Sequence, residues 1–178
     1  MLRLLPVLFV LLYVEPALAS ALPAPVRSEI SDARLAGQGN YRWFGLKIYE
    51  AQLWVGDRGY RPDDPASAKF ALNLTYARDL YGKRIARSSI DEISKLGYGT
   101  IEQHQAWLNR MEALFPDVHE GTQISGIFLP GQGARFYLNG KLLGEIADVE
   151  FARAFFAIWL DPRTSASSLR SELLTSAQ

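Results

Sequence analysis

Residues 122–146, TQISGIFLPGQGARFYLNGKLLGEI, are the stretch that decides the fold. Apolar runs of strand length alternate in it with two turn signals, Pro130-Gly131 and Asn139-Gly140. Asn-Gly between apolar runs is typical of a two-residue hairpin, because both central positions of that turn take positive φ. The stretch therefore predicts consecutive antiparallel strands, each paired with its neighbour along the chain.

Alternating side chains predict more strands upstream. Residues 69–77 place Phe70, Leu72, Leu74 and Tyr76 on one face, which indicates a half-buried strand. Residues 42–55 are predicted as one strand with two unlike faces. Its more apolar face carries Tyr49, Ala51, Leu53 and Val55, and its mixed face carries Ile48, Glu50, Gln52 and Trp54. Residues 28–36 alternate weakly and are a further candidate strand.

The glycine pair at residues 37–40, GQGN, could belong to an anion-binding loop or to a turn. A phosphate loop places its glycines after a buried strand and before a helix, so that backbone N–H groups face the anion. Here the glycines precede a strand. We therefore predict a hairpin turn at Gly37–Asn40.

Helical spacing takes over in two parts of the chain. Residues 85–96 have helical periodicity that ends at Gly97 or Gly99. Thr100 and Gln103 form a capping-box pair that starts the next helix. Residues 148–160 form a helix with Asp148 as its N-cap, and residues 165–174 form a short last helix. Runs of strands with helices between and after them favour an α+β fold with an antiparallel sheet over alternating βαβ units.

The N-terminus has the pattern of an export signal. Arg3 precedes the apolar run 4–14, and Ala17-Leu18-Ala19 fits a cleavage site, with cutting after Ala21 as the alternative. The apolar run is too short for a bilayer core of about 30 Å, so no stable membrane anchor is expected after cleavage. We predict a signal peptide at 1–19, a flexible leader at 20–27, a domain at 28–178, and a periplasmic or secreted location.

Composition excludes several kinds of chemistry. The 178 residues carry 19 basic and 19 acidic side chains without a basic run, so nucleic acid is not an expected partner. The absence of cysteine excludes disulfides, thiolate metal sites and a cysteine nucleophile. His104 and His119 are the only histidines and lack a carboxylate cluster at metal spacing, so we expect no metal and no cofactor.

Several segments, taken in order, resemble the bacterial exported branch of the chalcone isomerase-like family. They are FGLKIYEAQLWV, LTYARDLYGKRIARSSIDEI, FPDV, GIFLPGQGARFYLNGKLLGEI and FARAFFAIWLDPRTSASSLRSELL, and the resemblance covers about residues 36–174. It implies an open-faced β-sandwich, in which a large antiparallel sheet is covered by a layer of helices. It also implies a ligand cleft between the sheet and the helices.

The resemblance assigns site residues unevenly. Plant members of the family cyclise a chalcone, and their strand arginine resembles Arg42, but Tyr49 and Ile158 stand where they have hydroxyl residues. Trp107 and Asn109 are the nearest matches to their middle-helix tyrosine and asparagine. Losing such hydroxyl groups would cost orders of magnitude in rate, so chalcone cyclisation itself is not expected.

Fatty-acid-binding members of the family suggest a different role. In those relatives an arginine and a tyrosine hold the carboxylate, and Arg42 and Tyr49 resemble that pair. On one straight strand the two would face opposite sides, so a common face requires a turn or bulge near Gly45. From its residue type and position alone, Arg42 could equally be an ordinary surface arginine.

Three hypotheses remain open from the sequence. The first is a periplasmic protein that binds a small amphipathic anion such as a fatty acid, with Trp54, Phe155, Ile158 and Trp159 lining the apolar part of the cleft. The second is an isomerase of the intramolecular-lyase type, in which Arg42 stabilises an enolate or phenolate. The third is a non-catalytic structural or interaction protein whose cleft is filled by its own side chains.

Overall fold

The computed structural model describes residues 21–177, which form one six-stranded antiparallel sheet with helices packed on it. The predicted signal peptide lies outside the described residues. Strand order in the sheet equals chain order, so each strand pairs with its sequence neighbour. The strands are β1 (Arg34–Trp43), β2 (Leu46–Val55), β3 (Phe70–Tyr76), β4 (Gln123–Leu129), β5 (Gly133–Leu138) and β6 (Lys141–Ile146). The helices are α1 (Ala24–Glu29), α2 (Gly82–Leu96), α3 (Ile101–Leu114), α4 (Val149–Leu160) and α5 (Ser167–Leu173).

The hairpin expected at Asn139-Gly140 is confirmed. Both residues take positive φ, 46° and 83°, and they join β5 to β6. A second hairpin of the same kind joins β1 to β2 through Phe44 (φ 47°) and Gly45 (φ 79°). The prediction of one continuous strand over residues 42–55 was therefore wrong, because the chain reverses direction at Phe44-Gly45.

The turn predicted at Gly37–Asn40 was also wrong, since these residues lie inside β1. The glycines are there because α5 crosses β1 at very short distance. A Cβ on Gly37 would lie 2.1 Å from the backbone oxygen of Glu172, and a Cβ on Gly39 would lie 1.7 Å from the Glu172 Oε2 atom. Only a residue without a side chain allows α5 to approach this closely.

The chain before β1 differs from the expectation as well. Residues 24–29 form α1 and β1 starts at Arg34, so the candidate strand over 28–36 is replaced by the end of a helix, a turn and the start of β1. Val26, within the predicted flexible leader, is fully buried. α1 is held down by Glu29, whose carboxylate accepts hydrogen bonds from Arg135, Lys69 and Tyr137.

The predicted helix ends are confirmed where local side chains make them. α2 ends at Gly97 in the left-handed conformation (φ 79°). α3 starts with the reciprocal Thr100–Gln103 capping box. α4 starts at Asp148, whose side chain accepts from the Phe151 N–H at 2.9 Å.

The two faces of the sheet bury different partners. The larger core lies between one face and helices α2 to α5, and it contains Ala51, Leu53 and Val55 of β2, which confirms the more apolar face as the buried one. On the opposite face α1 packs its Val26 over Trp54 in a smaller cluster. The observed fold is thus α+β, an antiparallel sheet with its main helical layer on one side, as expected.

Candidate ligand-binding site

A cavity of about 440 Å³ lies between the first strands of the sheet and the helices α2 and α4. This volume falls within the range of about 300–1,000 Å³ typical of small-molecule sites. Its walls come from β1, β2 and β3 on the sheet side, from α4, and from one face of α2. The cavity is therefore where an open-faced sandwich of this kind leaves room between its two layers.

Three tyrosines line the sheet wall of the cavity: Tyr41, Tyr49 and Tyr76. They are cross-strand neighbours, because Tyr41 pairs with Tyr49 between β1 and β2 and Tyr49 pairs with Tyr76 between β2 and β3. The rings of Tyr41 and Tyr49 stack with centroids 5.0 Å apart, and Tyr76 meets Tyr49 edge-on at 5.9 Å. The sheet thus presents a row of phenol groups to the cavity.

Tyr49 is oriented by α4. Its hydroxyl oxygen accepts a hydrogen bond from the Trp159 indole Nε1 at 3.0 Å, and its own proton is donated to no protein group among residues 21–177. Burial raises the pKa of Tyr49 far above the usual tyrosine value, and burial does the same to the pKa of Tyr76. Both phenols are therefore neutral near pH 7, and Tyr49 can donate a hydrogen bond to a ligand oxygen.

The rest of the inner wall is apolar. α4 contributes Phe155, Ile158 and Trp159, and Leu74 and Ile124 on the sheet complete the surface. These side chains belong to the buried core, so a ligand chain between them would leave water for an apolar environment. The arrangement suits a molecule with a long apolar part and a small oxygen-bearing end.

The charged side of the cavity lies on α2. Glu92 is engaged, with Lys95 at 2.7 Å and the Ser165 hydroxyl at 2.6 Å. Arg84 also lines the cavity, and its exposed guanidinium makes no hydrogen bond or ion pair within residues 21–177. Asp91 lines it as well, but two helical turns away, about 10 Å along the axis. Arg84 is therefore the cation of this wall that is available to an anion.

The structure places Arg42 outside the cavity, which contradicts the expected position of its guanidinium. The β1–β2 turn occurs near Gly45, as a common face with Tyr49 would have required. However, Tyr41 and Trp43 take the cavity-facing positions at the end of β1. The exposed Arg42 side chain instead donates to the Gly45 backbone oxygen at 3.2 Å.

Three more predicted site residues lie elsewhere. Trp54 is on the opposite face of the sheet, under α1, because it alternates with Leu53 and Val55 of the core face. Trp107 is fully buried and donates from its indole Nε1 to Asp148 Oδ2 at 3.0 Å, which ties α3 to α4. Asn109 is exposed on α3 and accepts from Gln105. By contrast, Tyr49, Phe155, Ile158 and Trp159 do line the cavity.

Sequence reasoning missed Arg84, Tyr41 and Tyr76. A signal for the α2 wall was present, since the polar residues Arg84, Ser88, Asp91 and Lys95 recur at intervals of three or four and so share one helix face. Tyr41 and Tyr76 gave no such signal. Their meeting depends on the pairing register of three strands, which the pattern of one strand does not contain.

A second hollow, of about 380 Å³, lies along another face of α4, beside residues 60–66. Phe70, Phe128 and Phe156 form its floor. Asp161 at its edge accepts hydrogen bonds from Tyr98 (2.9 Å) and from Arg163. The polar groups there are thus largely satisfied by one another.

Neither metal ligation nor membrane crossing has support in the described part of the chain. Among residues 21–177, no three or more His, Asp or Glu side chains cluster as metal ligands would. No helix in that same range has the length and apolarity needed to traverse a bilayer.

Comparison with known proteins agrees with this architecture. The family model described as chalcone isomerase-like matches residues 19–175. An uncharacterised protein of Haemophilus influenzae is 30% identical over 138 residues, which are 78% of this chain; the chain spans about two thirds (66%) of that relative. A crystal structure of a fatty-acid binding protein of Arabidopsis thaliana superposes with a TM-score of 0.67, covering 83% of this chain and 89% of the plant chain at 13% identity.

The fold and cavity define an open-faced α+β protein with a cavity between its sheet and its helices. The chain belongs to the chalcone isomerase-like family. At 13% identity the plant structure establishes a shared fold, and its ligand is a property of that protein.

Proposed function

We propose that this is an exported, periplasmic chalcone isomerase-like protein that binds a small amphipathic anion, such as a fatty acid, in the cavity between the sheet and helices α2 and α4. The observation that carries the proposal is the make-up of the cavity. Phenol groups stand on one wall and apolar side chains of α4 on another, and on α2 the cavity is lined by Arg84, a cation that has no ion-pair partner among residues 21–177. The fatty-acid binding described for the plant relative with this fold supports the same class of ligand.

The polar groups suit an anion better than a neutral molecule. Arg84 would supply the positive charge at the cavity wall, in the role that the sequence assigned to Arg42. A hydrogen bond between ionised partners is roughly twice as strong as a neutral one, and a guanidinium matches the geometry of a carboxylate. Tyr49 would add a neutral donor from the sheet side, held in place by Trp159.

The geometry favours binding over the isomerase alternative. That mechanism required Arg42 to stabilise an enolate or phenolate inside the cleft, but Arg42 is exposed and bonds to Gly45. The position that resembles a catalytic hydroxyl of the plant enzymes is Ile158, which adds apolar surface to the cavity. The third alternative, a cleft filled by its own side chains, does not account for an open volume of about 440 Å³.

The proposed location depends on the N-terminal pattern at residues 1–19. Fractionation of the native host, with detection of the mature N-terminus by mass spectrometry, tests it. We expect the protein in the periplasmic or secreted fraction, beginning after Ala19 or Ala21. Recovery in the cytoplasm with an uncut N-terminus would contradict the proposed location.

Ligand binding is tested by native mass spectrometry of protein purified from its own host and by displacement of a fluorescent fatty acid. Arg84→Ala should weaken binding of the probe about tenfold or more, because a charge-assisted hydrogen bond is lost. Arg42→Ala is the matched control and should bind as the wild type does. Equal loss in both variants, or retention of the anion by Arg84→Ala, would remove Arg84 from the site. Decay of chalcone absorbance on adding the protein would instead support the isomerase.

A further inference from the structure

The turn between β1 and β2 exposes an apolar tip, defined here as Trp43, Phe44 and Leu46. Their exposed fractions are 60%, 87% and 52%, so three of the six large hydrophobic side chains exposed within the described residues lie within four positions of one another. Trp43 and Phe44 contact each other edge-to-face, with ring centroids 4.8 Å apart. Contiguous exposed apolar groups of this kind mark sites of interaction with a protein or a membrane.

The backbone holds the tip outward. Trp43 is the last residue of β1 and Leu46 is the first of β2, and the two are paired in the ladder. Phe44 and Gly45 close the turn with positive φ of 47° and 79°, as a two-residue hairpin of this hand requires. The side chain of Phe44 therefore projects from the end of a paired hairpin, and no element within residues 21–177 covers it.

Two cations flank the tip. Arg42 and Lys47 are paired across β1 and β2 directly behind the apolar residues. Arg42 bonds only to the Gly45 backbone oxygen and keeps its charge free of any acid within residues 21–177. Lys47 lies 3.4 Å from Glu50, which is partly exposed, so its charge is partly compensated. An apolar tip flanked by positive charges is complementary to a bilayer surface, where anionic headgroups lie above the acyl chains.

We propose that this hairpin tip docks on a lipid bilayer, with Trp43, Phe44 and Leu46 entering the interface and Arg42 meeting anionic headgroups. A second protein, including a second copy of this chain, fits the tip less well. A stable protein interface buries about 800 Å² on each partner, which requires a broad complementary face. A narrow convex turn offers no such area, whereas a fluid bilayer can take in a few projecting side chains. Tryptophan is also enriched at the interface between membrane and water.

The tip lies next to the cavity. Trp43 lines the ligand cavity as well as forming part of the tip, and Ile48 behind it also lines the cavity. A tip seated in a bilayer would therefore bring the cavity mouth close to the acyl chains. The docking itself depends on the tip alone, and it stands whether or not the cavity binds a lipid.

The test uses the whole chain with vesicles of phosphatidylcholine containing brominated acyl chains, with and without phosphatidylglycerol. Bromine quenches tryptophan only at short range, and residues 1–20 contain no tryptophan, so the signal comes from the described part of the protein. We expect quenching that disappears in Trp43→Phe. Phe44→Ser should lower the partition coefficient about tenfold. Arg42→Ala should lower it about fivefold with phosphatidylglycerol and leave it unchanged without.

Two matched control variants distinguish binding through the tip from non-specific adsorption of the protein to vesicles. Ile101→Ser removes a side chain that is 83% exposed at the start of α3, and Arg110→Ala removes an exposed cation of α3. Both should bind vesicles as the wild type does. The proposal is overturned if Trp43 is not quenched, or if Ile101→Ser weakens binding as much as Phe44→Ser. It is also overturned if Phe44→Ser converts a dimer to a monomer in size-exclusion chromatography while vesicle binding stays unchanged.

Discussion

Trp159 donates its indole N–H to the hydroxyl oxygen of Tyr49 at 3.0 Å, and this bond connects helix α4 to strand β2 at the wall of the cavity. It satisfies a buried indole that would otherwise lack a partner. It also fixes the orientation of the phenol. The hydroxyl proton of Tyr49 is not used in this bond, so it can be donated to a ligand oxygen. This single hydrogen bond thus joins the helical layer to the sheet and also positions a polar group at the cavity wall.

Tyr49→Phe should destabilise the protein by about 1–3 kcal/mol, because the indole N–H of Trp159 is left buried without an acceptor. Chemical denaturation by urea measures this change. The double variant Tyr49→Phe with Trp159→Phe should cost clearly less than the sum of the two single changes, since it removes both partners. Strict additivity would show that the bond contributes nothing. Fluorescent fatty-acid binding should weaken in Tyr49→Phe.

Gly37→Ala should cost about 3 kcal/mol or prevent folding, because its Cβ would lie 2.1 Å from a backbone oxygen of α5 that cannot move alone. Gly39→Ala is the comparison. Its closest contact is the Glu172 carboxylate at 1.7 Å, which can swing away, and the Glu172 Cβ at 2.9 Å requires only a small shift of α5, so we expect a smaller loss of about 1 kcal/mol. Thermal unfolding of both variants measures the difference. Equal losses would contradict the close crossing of α5 over β1.

Asp148→Ala should cost about 2 kcal/mol, since the carboxylate caps α4 through the Phe151 N–H and also accepts from the buried Trp107 indole. Thr100→Ala removes a cap that lies at an exposed helix start, and it should cost about 1 kcal/mol. Urea unfolding of the two variants tests the ranking. A smaller effect for Asp148→Ala than for Thr100→Ala would show that the contact to Trp107 carries no energy.

Acid should destabilise the protein because the charged forms of two carboxyls, Glu29 and Asp161, are favoured in the native state. The Arg163 side chain lowers the pKa of Asp161 to about 2, against the effect of burial and with help from Tyr98. Burial alone would raise the pKa of Glu29, but hydrogen bonds from Tyr137, Arg135 and Lys69 outweigh it and lower that pKa. Both groups therefore stabilise the fold above the unfolded pKa of about 4, and this stability is lost as pH falls through their native values.

Circular dichroism between neutral pH and about pH 2 measures this acid limb. Glu29→Gln and Asp161→Asn should each lower stability at neutral pH and make it less dependent on pH below about 4. Because Glu29 holds α1 on the sheet, its substitution should also increase proteolysis before β1. An acid limb that is identical in wild type and both variants would contradict this assignment.

Several parts of the fold could be predicted because their causes are local. Asn139-Gly140 sets its own φ angles, Thr100 and Gln103 cap each other, and Gly97 ends α2 by its own conformation. The alternation along β2 identified which residues face the helices. The sequence also assigned Phe155, Ile158 and Trp159 of α4 to a cleft, and these three residues line the cavity, since helical spacing puts them on adjoining faces of one element.

The remainder was decided by contacts between residues far apart in the chain. The composition around Gly37 is that of a turn, and only the approach of Glu172 from α5 explains why glycine is needed inside a strand. The arginine that lines the cavity was decided by how the β1–β2 hairpin is paired and by where α2 crosses the sheet. As a result, Arg42 faces solvent and Arg84 lies at the cavity wall. Backbone conformational preferences and the periodicity of apolar residues act over a few residues, so the sequence alone determines them. The pairing of Tyr41, Tyr49 and Tyr76, and the space left between sheet and helices, exist only once distant segments have packed together.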